Sequence, residues 1–149
     1  MLAIPRKILA TKKDKILGVT RILLGAQFLT TAIMKYFEPF SANWDAQLTQ
    51  ANIPFYTLSL WLGPIVEMVV GLLLVSGFLS RIGGLIGVAF MIVATYAHLV
   101  VDPEFLPFGN VTSFHVLVPL MVLAGSAYVL WRGGGAWSAD LRSSSKNEK

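Results

Sequence analysis

Three charged side chains, Arg21, Lys35 and Glu67, lie within long apolar stretches of the chain. A charge at the centre of a bilayer costs at least about 2.5–3.5 kcal/mol, so it usually faces a partner, a cavity or the interior of a bundle. Glu67 is the most costly of the three, because a lone carboxylate there must be protonated or paired with a base. The pattern favours either a proton- or quinone-handling carboxylate or a structural Arg21–Glu67 ion pair that fixes the register of two helices.

Arg21 and Lys35 share one face of a predicted helix. They are 14 residues apart, and at about 100° per residue they come to within about 40° of each other. Depth along the predicted helices places Glu67 between them, about 8 Å from the level of Arg21. We therefore expect an internal Arg21–Glu67 salt bridge. Lys35 lies near the end of its helix, where a long side chain can instead extend to the membrane interface.

Two histidines, His98 and His115, are predicted to lie near the same outer boundary as Lys35. The two predicted helices that carry them are antiparallel neighbours, so the three side chains are expected to line a ligand-binding pocket at the outer mouth. Two histidines are too few for a typical metal site, which needs three or four ligands. Neither metal nor haem is therefore predicted. The alternative is that both histidines are ordinary interfacial residues.

The composition excludes most water-soluble classes of protein. Charged residues make up 13% of the 149 residues and hydrophobic residues 55%, with a mean hydropathy of +0.67. A soluble domain carries about 25% charged residues. Disorder is excluded as well, because the apolar content is high and the net charge is only +4. The sequence contains no cysteine, which excludes disulfide scaffolds, thiolate metal sites and thiol redox relays.

Four stretches are long and apolar enough to cross a hydrocarbon core of about 30 Å, which takes about 20 residues per helix. Backbone polar groups in lipid must be paired within the segment, so these stretches are expected to be helices. The sequence therefore predicts an all-α integral membrane four-helix bundle, with a short surface helix at 45–50. The predicted segments are a basic N-terminal segment at 1–15, spans at about 16–37, 54–79, 82–101 and 111–131, and a tail at 132–149.

The positive charges lie on one predicted side of the bundle. Of the 12 Lys and Arg residues, only Arg21 and Lys35 lie within the predicted spans, and the others occupy the N-terminal segment, the turn after the second span and the tail. The remaining two loops carry acidic residues but no Lys or Arg. The positive-inside rule then places both termini in the cytoplasm and predicts a multi-pass protein of the plasma membrane. Topology accounts for the basic ends, so nucleic-acid binding is not predicted.

Several motifs, in order along the four predicted spans, resemble the DoxX family of small four-helix membrane proteins. The resemblance covers about residues 21–140. Its last part, which we call the closing segment (residues 133–140), looks like the family's Gly-x-Gly-x-x-Ser-x-Asp ending. The motifs are Arg21-Ile22-Leu23-Leu24-Gly25, Lys35, Glu67-Met68-Val69-Val70-Gly71, Arg81 after the second span, and Gly133-Gly134-Gly135-Ala136-Trp137-Ser138-Ala139-Asp140. The resemblance implies an association with thiosulfate:quinone oxidoreductase, as in some relatives, or with membrane redox complexes, as in others. Distant eukaryotic relatives act as assembly chaperones.

The residues and the resemblance together predict a membrane subunit of a quinone-linked redox complex that binds quinone in its bundle. Glu67 and Arg21 are the predicted catalytic residues, which tune or relay protons, and Lys35, His98 and His115 are predicted to bind the ligand. Partner redox subunits would supply the flavin, haem or metal that carries electrons. The alternative is a non-catalytic structural or assembly subunit of a larger membrane complex. A small transporter is a third hypothesis, in which a homo-oligomer would supply the required symmetry.

Overall fold

The computed structural model describes residues 9–101 and 116–146. Within these two ranges the chain forms helices and no strand. The helices are α1 (Lys15–Met34), α2 (Phe40–Gln50), α3 (Tyr56–Ser76), α4 (Ser80–Val101), α5 (Leu117–Arg132) and α6 (Ala139–Lys146). Three of them, α1, α3 and α4, are long and apolar enough to cross a membrane, and α5 is a shorter apolar helix. The predicted all-α membrane architecture is therefore confirmed.

The helix boundaries differ from the predicted spans at the end of the first helix. α1 ends at Met34, whereas the predicted span extends to residue 37. The short helix predicted at 45–50 is present and begins earlier, at Phe40. The start predicted for the fourth span, at residue 111, lies outside the described residues.

The long helices α1 and α3 pack antiparallel, and so do α3 and α4. Arg21, near the start of α1, contacts Val75 at the end of α3. A Cβ on Gly83, near the start of α4, would lie 3.3 Å from the side chain of Leu74. We call the end of the bundle where α1 and α4 begin the basic end, and the opposite end the α2 end. The buried apolar core between the helices consists of Leu17, Leu24, Phe28, Val70, Leu74, Met91, Val122 and Val129.

Large apolar side chains also cover the outside of the bundle. An exposed apolar surface of this extent marks contact with another apolar phase, and in a membrane bundle that phase is lipid. Exposed examples from four helices are Leu23, Leu72, Ile92 and Met121.

Glycines bring the helices into close backbone contact. A Cβ on Gly25 would lie 2.7 Å from the backbone nitrogen of Val75 and 2.9 Å from the carbonyl oxygen of Gly71. α4 and α5 approach in the same way, since a Cβ on Gly84 would lie 2.9 Å from the carbonyl oxygen of Ser126. Lipid chains are as apolar as leucine, so helices in a bilayer associate through close packing of this kind.

Replacing Gly25 by alanine is expected to destabilise the bundle by about 1–3 kcal/mol, the usual cost of overpacking. The added methyl group meets backbone atoms of α3, which can move only if the two helices separate. Gly125→Ala is the matched control, because its Cβ would meet side-chain carbons of Leu24, which can adjust. Thermal unfolding in detergent compares the two variants, and an equal loss of stability in both would contradict this account of the α1–α3 contact.

Candidate functional site

A cavity of about 350 Å³ lies inside the bundle toward the α2 end. All five helices from α1 to α5 contribute to its wall. Its volume is at the lower limit of the range typical of small-molecule sites, about 300–1,000 Å³. We call it the polar cavity, because its wall combines apolar side chains with seven polar ones, Gln27, Thr31, Lys35, Asn43, Gln47, Glu67 and His98.

A buried ion pair forms part of this wall. Lys35 Nζ lies 2.9 Å from Glu67 Oε2, and the two side chains are only 15% and 4% exposed. α1 ends at Met34, so Lys35 occupies its C-terminal cap. From there the lysine side chain enters the bundle and meets Glu67 on α3. The pair places a positive and a negative group side by side within an apolar bundle.

An indole ring covers the lysine of this pair. Lys35 Nζ lies 3.7 Å from the centre of the Trp44 ring and 5.5 Å from the centre of the Phe90 ring, within the range of cation–π attraction. Trp44 is on α2, and its Nε1 donates a hydrogen bond of 3.3 Å to the carbonyl oxygen of Leu60. That oxygen lacks its usual helical donor because Pro64, four residues later, has no N–H. The proline in α3 thus provides the acceptor that holds the indole.

Gly63 provides the space for the same indole. A Cβ at Gly63 would lie 2.5 Å from Trp44 Cζ2, so any larger residue would displace the ring. Trp44 is not among the site residues that the sequence predicts. The adjacent glycine and proline in an otherwise apolar helix were the available signal, because together they open the helix surface and free a carbonyl oxygen.

One of the two predicted histidines lies at this site. His98 lines the polar cavity, with its Nδ1 2.7 Å from the carbonyl oxygen of Ala94. His115 lies outside the described residues. The structure therefore brings Lys35 and His98 to one cavity, while the ligand-binding role of Lys35, His98 and His115 stays a prediction. In the part of the chain that the structure describes, no group of three His, Cys, Asp or Glu residues is arranged to hold a metal ion.

Arg21 does not pair with Glu67, and the predicted salt bridge between them is wrong. The arginine is fully buried, and its guanidinium donates to backbone carbonyls of Leu74, Val75 (2.9 Å) and Gly134 (2.7 Å). Leu74 is seven residues after Glu67, about 10 Å farther along α3. The last carbonyls of a helix lack helical donors, and the guanidinium, with its several N–H groups, satisfies them.

The closing segment folds back under the turn between α3 and α4. Asp140 accepts hydrogen bonds from the backbone N–H groups of Leu79 (2.8 Å) and Ser80 (2.9 Å), at the start of α4. Its own N–H donates to the carbonyl of Gly77, which has a positive φ of 68°. Ser138 accepts from the first turn of α6 and caps that helix. We call Arg21, Gly77 and the closing segment the terminal clamp, because together they join α1, α3 and α4 at the basic end.

A second arginine repeats this arrangement on the other helix pair. Arg81, near the start of α4, donates to the carbonyl oxygens of Leu130 and Trp131 at the end of α5, both at 2.7 Å. In each pair, an arginine near the start of one helix thus satisfies the last carbonyls of its antiparallel partner. The sequence analysis named Asp140 only as part of a motif, and it missed the partners of Asp140 and of both arginines. Those partners are backbone N–H and carbonyl groups, which leave no trace in residue type.

Comparisons with known proteins agree with this architecture. The DoxX family model matches residues 16–100. An uncharacterized membrane protein of Mycobacterium tuberculosis, Rv3486, is 31% identical over 134 residues, which cover 85% of this chain and 80% of that protein. No solved structure matches the chain significantly. The family match and the apolar helices identify the chain as a multi-pass membrane protein that belongs to the DoxX family.

Proposed function

We propose that the protein is a membrane subunit of a quinone-linked redox complex and that the polar cavity binds the quinone ring. One observation carries the proposal: the buried Lys35–Glu67 pair forms part of the wall of a cavity of about 350 Å³ within a membrane bundle. Burying an ion pair of this kind costs free energy. A ligand that interacts with both the ammonium and the carboxylate accounts for the presence of the pair in the bundle.

The chemistry of the wall suits a quinone. Quinone reduction takes up electrons and protons at the carbonyl oxygens of a flat ring. Lys35 donates a hydrogen bond to one carbonyl, and Glu67 exchanges a proton with the oxygen as it is reduced. The Trp44 ring next to Lys35 offers a face for stacking, in the way that aromatic side chains line small-molecule sites. His98, on the same wall, is a second donor or acceptor.

The electrons come from a partner subunit that carries a flavin, haem or metal, since quinone is the one redox group that the proposal assigns to this chain. Arg21 acts at a distance in this proposal. It holds the end of α3 through the terminal clamp and so fixes the position of Glu67 along the axis of the bundle. Glu67 and Lys35 touch the ligand, and Arg21 positions them.

Binding of a water-soluble benzoquinone without a tail, measured in lipid nanodiscs, tests the proposal. The double variant Lys35→Met/Glu67→Gln removes both charges without leaving either one unpaired. We expect it to bind the quinone at least about tenfold more weakly, because a hydrogen bond from a charged donor contributes about 1.5–3 kcal/mol. Lys12→Met/Glu38→Gln makes the same two changes at exposed positions outside the cavity and should bind as the wild type does. Wild-type affinity in the first variant would contradict the proposal.

The alternative is a structural or assembly subunit, and the terminal clamp favours it. There a buried arginine donates its hydrogen bonds to backbone carbonyls of two segments and lies near the buried Asp140, which is a structural use of a charge. The two functions differ in what Lys35→Met/Glu67→Gln changes in the native membrane. A quinone subunit loses turnover while the complex still accumulates, whereas a structural subunit loses the complex itself.

A further inference from the structure

A second cavity, of about 260 Å³, lies on the other side of Trp44, between α3 and α4. Its wall is almost entirely apolar and includes Leu62 on α3, Val93 on α4 and Leu48 on α2. Leu62 and Val93 are 43% and 49% exposed, so this cavity runs along the lipid-facing side of the bundle. We call it the apolar groove.

The groove exists because α3 and α4 separate toward the α2 end. At the basic end the two helices are in close contact, where a Cβ on Gly83 would lie 3.2 Å from Leu73 Cβ. Toward the other end α2 is inserted against both helices, and Trp44 lies on the surface of α3 at Gly63. The space beside the indole, between the separated helices, is the groove.

The polar cavity and the apolar groove share part of their walls. Trp44, Ala94 and Ala97 line both. The two alanines lie on α4, one turn apart, and their short side chains leave room between α4 and the indole. A polar compartment that holds the ion pair thus adjoins an apolar compartment that faces lipid.

We propose that the apolar groove holds the long hydrocarbon tail of the quinone whose ring occupies the polar cavity. This inference rests on the proposed function and deepens it, since it names a lipid-soluble, long-tailed quinone as the ligand class. The tail passes between Trp44 and the two alanines and leaves along Leu62 and Val93 into the bilayer. In a bilayer the groove gains no free energy by removing the tail from water, because lipid chains are equally apolar. The groove acts through its shape, because it lets the tail extend from the polar cavity into the bilayer while the ring lies beside Lys35.

Displacement of a labelled tail-less benzoquinone by a long-tailed quinone, in nanodiscs of one lipid composition, tests this inference. Val93→Trp places a large ring in the groove without touching the polar cavity. Val69→Trp is the matched control, because Val69 is 45% exposed and lines neither cavity. We expect Val93→Trp to bind the tail-less quinone normally and to need about tenfold more long-tailed quinone for half-displacement. The control should match the wild type.

Three results would overturn the inference, and they separate it from the proposed function. Equal displacement in Val93→Trp and Val69→Trp would mean that ordinary lipid fills the groove, while quinone binding itself would stand. Loss of the tail-less quinone in Val93→Trp would mean that the groove is part of the ring site. Failure of the wild type to bind the tail-less quinone would remove the proposed function together with the inference. Leu62→Trp, also in the groove and lipid-facing, replaces Val93→Trp if that variant does not fold.

Discussion

Replacing Lys35 by methionine is expected to destabilise the folded protein by about 3–5 kcal/mol, which is the usual cost of leaving one partner of a buried ion pair uncompensated. Glu67 is only 4% exposed on its side chain, and Lys35 Nζ lies 2.9 Å from its Oε2. No other hydrogen-bond partner of Oε2 is present in the described part of the chain. For a chain of this length the loss corresponds to a fall in Tm of about 10 °C. Thermal unfolding in detergent micelles measures it.

Adding Glu67→Gln to Lys35→Met separates the effect of the unpaired carboxylate from the effect of losing the lysine side chain. Lys35→Met/Glu67→Gln removes the unpaired carboxylate, so the double variant should regain most of the stability that Lys35→Met loses. Lys12→Met removes an exposed lysine and should leave the Tm within a degree or two. If Lys35→Met and the double variant unfolded at the same temperature, the two side chains would not be energetically coupled, and the ion pair would have to be abandoned as the centre of the site.

Replacing Arg21 by lysine is expected to cost at least about 3 kcal/mol, although the charge is kept. The guanidinium donates in several directions, to carbonyls at the end of α3 and to Gly134 in the closing segment. A lysine ammonium is a single point of charge and cannot reproduce that planar fork. Buried carbonyls left without a donor cost about 1–3 kcal/mol each. We therefore expect both a lower Tm and release of the closing segment.

Limited proteolysis distinguishes release of the closing segment from general unfolding. In Arg21→Lys, cleavage near residues 133–140 should become faster at temperatures where the helices remain intact by circular dichroism. Arg132→Lys is the control, because Arg132 is 43% exposed and pairs with Asp14 at 3.4 Å; surface pairs of this kind contribute about 1 kcal/mol or less. An Arg21→Lys protein as stable and as protease-resistant as Arg132→Lys would show that the clamp does not depend on the guanidinium.

The contacts of the two arginines explain how this membrane bundle accommodates positively charged side chains. Arg21 and Arg81 each lie near the start of one helix and donate to the last carbonyls of its antiparallel neighbour. The C-terminal end of a helix carries partial negative charge, so its backbone helps to stabilise a cation there. Arg21 also interacts electrostatically with the buried Asp140 of the closing segment. Glu67 pairs with Lys35 and not with either arginine.

Several ionisable residues of the site could be predicted from the sequence, but which of them form an ion pair could not. Glu67, Lys35 and His98 were singled out because an ionisable residue in an apolar span is costly wherever it lies. The choice of Arg21 as the partner of Glu67 was wrong because its guanidinium bonds to backbone carbonyls at the end of α3, about 10 Å from Glu67 along the helix. Lys35, at the C-terminal cap of α1, reaches Glu67 instead.

The sequence by itself determined the all-α membrane architecture, the approximate positions of the helices and the candidate ionisable residues. These follow from local properties, because apolar length against the thickness of a bilayer requires a spanning helix whatever the rest of the chain does. Only the tertiary structure decided that Trp44 covers Lys35, that Asp140 caps α4 and that Arg21 holds the end of α3. These contacts join residues far apart in the chain, and most of them end on backbone carbonyls or N–H groups. Every residue carries those groups, so their partners become visible only when the helices are packed together.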